Sequence, residues 1–260
     1  MAEDVALLEG DGHLPVLRLF GWRRPTLSLG YSQDAERVVD WEAAGAAGIE
    51  VVRRPTGGGA VLHDGALEVT YSVVAPEHGL PAGVVDGYRL IAQALVAALA
   101  ELGLAAELAQ EVVAPRERGP VCFETPSRYE LLVGGRKTVG SAQLRRRGRV
   151  LQHGSVPLSL DPDRAVLALR GGDKGEWARR LAEHACGLEE AAGRSLGAEA
   201  VRAALVAGFA SALGARFEPG ELTPGERARR EELVRLGTFG PLAPGRRGAG
   251  GLAAGARPAL

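Results

Sequence analysis

Five short apolar runs crowd into residues 15–74: PVLRLFGW (15–22), TLSLGYS (26–32), IEVVRR (49–54), AVLHD (60–64) and LEVTYSVV (67–74). Each is short, carries Val, Leu or Tyr, and is flanked by Gly or Pro, which predicts strands. DAERVVDWEAAGAA (34–47) reads as a helix between the second and third strands, with Asp34 as its N-cap. The clearest helix is 86–103, where Leu90, Ile91, Ala94, Leu95, Ala98 and Leu99 recur at helical spacing and Gly103 stands at the exit. Residues 130–158 alternate short strands with turns, and Gly134-Gly135 and Arg147-Gly148 read as hairpin tips. Further helices are expected within 176–192, 199–213 and 224–236. Strands first and helices last predict an α+β fold with helices packed on a sheet.

The length of 260 residues suits one core with a small terminal subdomain. We expect one catalytic domain over 1–240, with its core at 15–215 and a C-terminal helical segment at 216–240. Residues 2–9 read as a helical scrap outside that core. From Gly240 the chain is rich in Gly, Ala, Pro and Arg, so residues 241–260 are expected to form a disordered tail. A formal charge of −1 leaves no basic footprint for nucleic acid or an anionic membrane. Acidic residues stand in MAEDVALLEGDG where a signal peptide needs basic ones, and no apolar run is long enough to span a bilayer. A cytoplasmic protein is expected.

The two cysteines, Cys122 and Cys186, fit neither a disulfide framework nor a CxxC metal site, so no metal is expected. Of 31 basic Lys and Arg residues only Lys137 and Lys174 are lysine, so arginine has almost replaced it. A surface cation can be either residue, but a compact amine with a shiftable pKa must be lysine. Cys122 and Lys137, kept within one short segment, are therefore candidates for covalent chemistry. Cys186, in helical surroundings, reads as core. Asparagine is absent, which rules out a Cys-His-Asn triad.

RRPTGGGAVLHD (53–64) places Gly57, Gly58 and Gly59 between two strands, where the missing Cβ atoms let a ligand lie against the backbone. It is neither a Walker A loop nor a GxGxxG turn. Arg54 and His63 flank it. His63 and His153 read as pocket residues, and a general-base role for either stays open. Arg145, Arg146, Arg147 and Arg149 form a basic hairpin that is either a solvated turn or a contact for an acidic carrier.

RRPTGGGAVLHD, followed by GGRKTVGSAQ and LQHGSVPL, resembles the biotin- and lipoate-protein ligase/transferase family. CFETPSRYELLVGGRK, with HDGALEVTYSVV upstream, is most similar to the family's LipM-type octanoyltransferases of lipoate assembly. The resemblance spans roughly 15–160 and implies a class II biotinyl/lipoyl ligase-transferase fold, a mixed or antiparallel central sheet flanked by helices. It implies Cys122 and Lys137 as catalytic residues, and Arg54, Gly57, Gly58, Gly59, His63, Ser141, His153 and Gly154 as substrate-binding residues. The implied reaction moves octanoyl from an acyl carrier protein onto Cys122 and then to a lysine of a lipoyl domain, such as the glycine cleavage H protein, without a cofactor. Lys137 would favour the thiolate by its charge and hydrogen-bond the acyl carbonyl.

The chain departs from the pattern at Gly59, where such transferases often carry arginine. DGALEV also replaces the Asp-Leu-Gly-Asn run usual in ATP-dependent lipoate ligases. Three alternatives stay open: an amidotransferase between lipoyl domains, an ATP-dependent lipoate-protein ligase, and a non-catalytic carrier-binding module.

Overall fold

The computed structural model describes residues 1–65, 67–81, 83–109 and 130–245. Among these described residues the strands build two sheets. The larger runs β1 (Val16–Phe20), β5 (Glu68–Pro76), β9 (Arg149–Pro157), β8 (Arg136–Arg146), β7 (Leu131–Val133) and β6 (Ala106–Leu108), antiparallel throughout. The smaller is mixed, with β2 (Thr26–Leu29) parallel to β3 (Glu50–Arg53) and antiparallel to β4 (Val61–His63). The fold is α+β, with two sheets where the sequence pattern suggests one.

Alternation along the long strands sorts side chains onto two faces. Tyr71, Gly154 and Ser141 are neighbours across β5, β9 and β8, and Ser72, His153 and Ala142 are neighbours in the next row, on the opposite face. The Tyr71 face carries Val69, Val73, Val139 and Val156 and packs against α4 (Val84–Glu101) and α8 (Ala198–Leu213). These helices approach closely at Gly208, where a Cβ would lie 2.4 Å from the Ala94 carbonyl oxygen.

The opposite face is divided. Val74, Leu144 and Leu151 pack against Leu7 and Leu8 of α1 (Ala2–Glu9). Burying each such leucine contributes about 1.5–3 kcal/mol. Residues 2–9 are thus core, not a scrap, and the core begins before residue 15. α9 (Pro224–Arg235) is held to α1 by Arg229, whose Nε donates to Glu9 at 2.7 Å. The smaller sheet covers the remainder and shares a second core with α2 (Ala35–Val38), α3 (Trp41–Ala46), α5 (Pro162–Val166) and α6 (Lys174–His184).

Two expected helices are each broken. The helix expected over 34–47 splits because Val39 leaves it to bridge Leu169, and Asp40 caps the second piece by accepting from the Ala43 N–H at 3.0 Å. The helix expected within 176–192 is interrupted between α6 and α7 (Leu188–Ala192). There Ala185 is extended and bridges Lys137, and the Cys186 N–H donates to the Lys137 carbonyl at 3.0 Å. Gly187 follows, and a Cβ on it would come within 2.6 Å of the Leu158 carbonyl oxygen. Leu242, expected in the disordered tail, is instead placed on the fold: its N–H donates to the Val51 carbonyl at 2.7 Å, and its side chain packs on the second core. Among the described residues no helix is long and apolar enough to cross a membrane.

Candidate active site

A cleft of about 390 Å³ opens between the two sheets. Gly140, Ala142, His153 and Ser155 wall one side, and Ser28, Arg54, Val61 and His63 the other. The small residues of β8 and β9 leave room there for an extended ligand. A larger hollow of about 550 Å³ lies next to it, sharing Val61 and Ser155, rimmed by the Arg164–Asp64 ion pair at 2.9 Å. Buried polar residues converge on the smaller cleft.

Lys137 is turned, by an irregularity in its strand, to the sheet face that bears the cleft, and it is buried there without lining the cleft itself. Leu131 pairs with Val139 but Leu132 pairs with Lys137, so β8 carries one extra residue, Thr138, against β7. Such a bulge reverses the alternation on one side of it. Leu131 and Val139 both face the helical core, so Leu132 and its partner Lys137 face the other way, with Gly140 and Ala142. The Lys137 side chain is fully buried, and its ammonium donates to Glu130 Oε1 at 2.8 Å. A buried ammonium requires such a counter-charge. Glu130 is absent from the residues predicted from sequence. The hairpin tip at Gly134-Gly135 was the available signal, because it folds residue 130 back towards residues 137–139.

His63 is locked in place. Its Nδ1 lies 2.9 Å from Glu68 Oε1, its Nε2 lies 2.8 Å from Ser28 Oγ, and its ring stacks on Trp22 at 4.3 Å. Burial pushes the Glu68 carboxyl up, but the adjacent His63 and the Thr70 and Ser155 hydroxyls outweigh it and hold the carboxyl below the usual range. His153 is buried with Nε2 2.6 Å from Thr56 Oγ1 and Nδ1 3.8 Å from Asp4 Oδ2, too long for a direct hydrogen bond. Burial pushes its pKa below the ordinary histidine value. Burial acts to raise Asp4, yet its carboxyl sits below the usual range because the Met1 amino group, Arg18 and His153 surround it. Both histidines are satisfied or sequestered more than they are poised as bases.

Arg54 braces the glycine loop from beneath. Its guanidinium donates to the Gly57 carbonyl at 2.7 Å, the Gly59 carbonyl at 2.7 Å and the Ser28 carbonyl at 3.0 Å. Gly58 adopts φ +94°, a conformation that favours glycine. A Cβ on Gly30 would meet the Gly58 carbonyl oxygen at 2.1 Å, so the neighbouring turn is glycine for close approach. The triplet is a constrained turn, and Arg54 sets where it lies.

Ser141 and Gly154 reach the cleft by backbone. The Ser141 hydroxyl turns to the core, 2.7 Å from the Tyr71 hydroxyl, whose pKa burial pushes up to about 12. A Cβ on Gly154 would lie 2.6 Å from Tyr71 Cε1, so this glycine makes room for that ring. The structure thus brings Arg54, His63, Ser141, His153 and Gly154 to one cleft; Arg54 holds Gly57 and Gly59 by their carbonyls, but neither they nor Gly58 and Lys137 line it. Cys122 lies outside the described residues. Cys186 is buried, as its sequence surroundings suggest. The expected carrier patch is mostly committed internally: Arg145 pairs with Glu77, Arg146 with Glu9, and Arg149 donates to the Gly12 carbonyl.

Residues 2–210 match the model of the lipoyl protein ligase A/B catalytic domain. The chain is 48% identical over 243 residues to the octanoyltransferase LipM of Kyrpidia tusciae, covering 89% of this chain and 88% of that protein. It is 46% identical over 243 residues to the octanoyltransferase LipM of Moorella thermoacetica, covering 90% and 88%. The bipartite lipoate protein ligase of Thermoplasma acidophilum superposes with a TM-score of 0.77 at 26% identity, covering 90% of this chain and 86% of that one. Lipoate-protein ligase A solved with ATP superposes at 0.74, also at 26% identity, covering 90% and 87%.

Proposed function

The chain belongs to the lipoyl protein ligase A/B catalytic domain family, and on that premise we propose that it transfers octanoyl from an acyl carrier protein, through a thioester on Cys122, to a lysine of a lipoyl domain such as the glycine cleavage H protein. The acyltransferase class rests on relatives named octanoyltransferase that align along about nine-tenths of the chain. Within the site, the observation that carries the reading is a fully buried lysine, turned by a bulge onto the cleft face. A buried ammonium is costly and is kept where its charge has work to do.

In the first step the Cys122 thiolate attacks the carbonyl of the donor thioester. The new carbon–sulfur bond forms, the donor's bond breaks, and the carrier leaves as a thiolate that takes up the proton released when Cys122 ionised. Exchange of one thioester for another is nearly isoenergetic. In the second step the acceptor amine attacks the acyl carbon, an amide forms, and Cys122 leaves as the thiol. Negative charge grows on the acyl oxygen in both steps, and Lys137 supplies hydrogen bonding to it in a desolvated setting. Arg54 contributes by fixing the glycine loop over the acyl end.

The test is mass spectrometry of the protein mixed with octanoyl-carrier, without ATP. An adduct of octanoyl mass on Cys122, lost on adding an apo lipoyl domain that gains the same mass, is the expected result. Absence of any adduct overturns the mechanism. The solved ligase relatives, one with ATP, favour a second reading as an ATP-dependent lipoate-protein ligase. It predicts octanoate-dependent ATP–pyrophosphate exchange that survives Cys122→Ser. Exchanging octanoyl-carrier for an octanoylated lipoyl domain as donor distinguishes the amidotransferase variant.

A further inference from the structure

Ser28, His63 and Glu68 stand in line across the two sheets. β2 and β4 pair with Ser28 opposite Val61 and Thr26 opposite His63, so Ser28 and His63 are diagonal neighbours on one face of the smaller sheet. Glu68 opens β5 of the larger sheet and meets the imidazole from its other side. Ser28 Oγ lies 2.8 Å from His63 Nε2, and His63 Nδ1 lies 2.9 Å from Glu68 Oε1. A carboxylate only accepts, so it fixes the ring proton on Nδ1 and leaves Nε2 to accept from the Ser28 hydroxyl. Both ring nitrogens are thereby engaged, and what the imidazole can activate is that hydroxyl. The orienting groups are themselves held. Trp22 stacks on His63, Thr70 donates to Glu68 Oε1, and Ser155 donates to Glu68 Oε2 at 2.7 Å. Arg54 Nη1, 3.2 Å from Ser28 Oγ, sets a cation beside the same oxygen. Ser28, Arg54 and His63 all wall the cleft. The hydroxyl is otherwise enclosed, which limits its partners to what the cleft admits.

We propose that Ser28 is the nucleophile of a hydrolytic activity in this cleft, with His63 as its base and Glu68 as the group that orients the base, acting on acyl esters and thioesters. A hydroxyl, an imidazole and a carboxylate in hydrogen-bonded sequence make a neutral alcohol competent to attack a carbonyl. As Ser28 Oγ attacks the acyl carbon, its proton passes to His63 Nε2. The ester C–O or thioester C–S bond breaks, and the alcohol or thiol leaves with that proton. Water then attacks the acyl-Ser28 ester and gives a proton to His63. Ser28 leaves by taking it back, and the free carboxylic acid is released. Glu68 stays ionised throughout and balances the imidazolium. The activity lies beyond the transfer reaction and needs neither Cys122 nor Lys137.

The test treats the full chain with a fluorophosphonate, which phosphonylates an activated serine, and locates the adduct by peptide mass spectrometry. Hydrolysis of p-nitrophenyl octanoate is followed beside it in wild type, Cys122→Ala, Ser28→Ala and His63→Gln, with folding checked by melting temperature. The expected result is an adduct on Ser28 and hydrolysis that persists in Cys122→Ala. Ser28→Ala and His63→Gln should each lower hydrolysis at least about 100-fold. A hydroxyl that merely bridges the sheets would give no adduct, whatever its substitution did to melting temperature. Because the adduct is mapped in the wild type, a poorly folding variant leaves that arm decisive. No adduct on Ser28, hydrolysis that vanishes in Cys122→Ala, or hydrolysis that persists in folded Ser28→Ala overturns the proposal. Absence of the octanoyl adduct on Cys122 would instead overturn the transfer reading and leave this one standing.

Discussion

At the scale of single residues, the proposed reaction divides the chemistry between Lys137 and Cys122, and their contributions can be separated. Replacing Lys137 by Ala should raise the pH midpoint of Cys122 alkylation towards or above the free-cysteine value of about 8.5, because a stabilising cation is lost. Lys137→Arg should keep part of the charge effect while transfer falls about tenfold or more, since a planar guanidinium does not fit where a compact ammonium meets Glu130. Alkylation profiles and single-turnover transfer check both statements. An Arg variant at full rate would mean that charge alone suffices. Ser141 and Gly154 show a different lesson: both stand at the cleft, but the Ser141 hydroxyl turns to Tyr71 and the missing side chain of Gly154 makes room for that ring.

At the scale of elements, the glycine loop and the bulged strand set the site's shape. Gly58 sits at φ +94°, so a β-branched side chain there is strained whatever the surrounding space. Gly58→Val is expected to cost about 1–3 kcal/mol, lowering the melting temperature by roughly 3–10 °C, with transfer falling in parallel. Differential scanning fluorimetry and transfer assays decide the point. Lost transfer at an unchanged melting temperature would make Gly58 a ligand wall instead of a turn. The strap at Ala185–Gly187 is the other device at this scale. It interrupts what would otherwise be one helix so that the Cys186 N–H can pin the Lys137 backbone.

Across the whole molecule, buried titratable groups under the cleft make stability depend on pH. His153 has a folded pKa below its unfolded value, so the unfolded chain binds more protons as pH falls. Its contribution is therefore complete above about pH 6.5 and declines below that. Asp4 and Glu68 are also depressed, and their contribution is present above about pH 4 and is lost as pH drops through their folded values. The expected curve of melting temperature falls in two stages on acidification. His153→Gln should flatten the upper stage, which sets in below about pH 6.5, and leave the lower one. Equal slopes in variant and wild type across the upper stage would remove His153 as its source.

The sequence by itself determined the element types, the two hairpin tips, the family pattern and a minority of the cleft residues, because these follow from local periodicity, turn chemistry and short motifs. Arg54, His63 and His153 were legible for that reason. Tertiary structure alone decided the rest. Nothing in local spacing reveals that Thr138 is an extra residue, since a bulge exists only relative to the strand it fails to match. The breaks at Val39 and Ala185 likewise come from distant partners, Leu169 and Lys137, that override helical propensity. The burial of Asp4 in the first helix and the pairing of Glu130 with Lys137 depend on surfaces brought together by the fold. A charge is cheap in the extended chain and becomes a constraint only where packing removes its water.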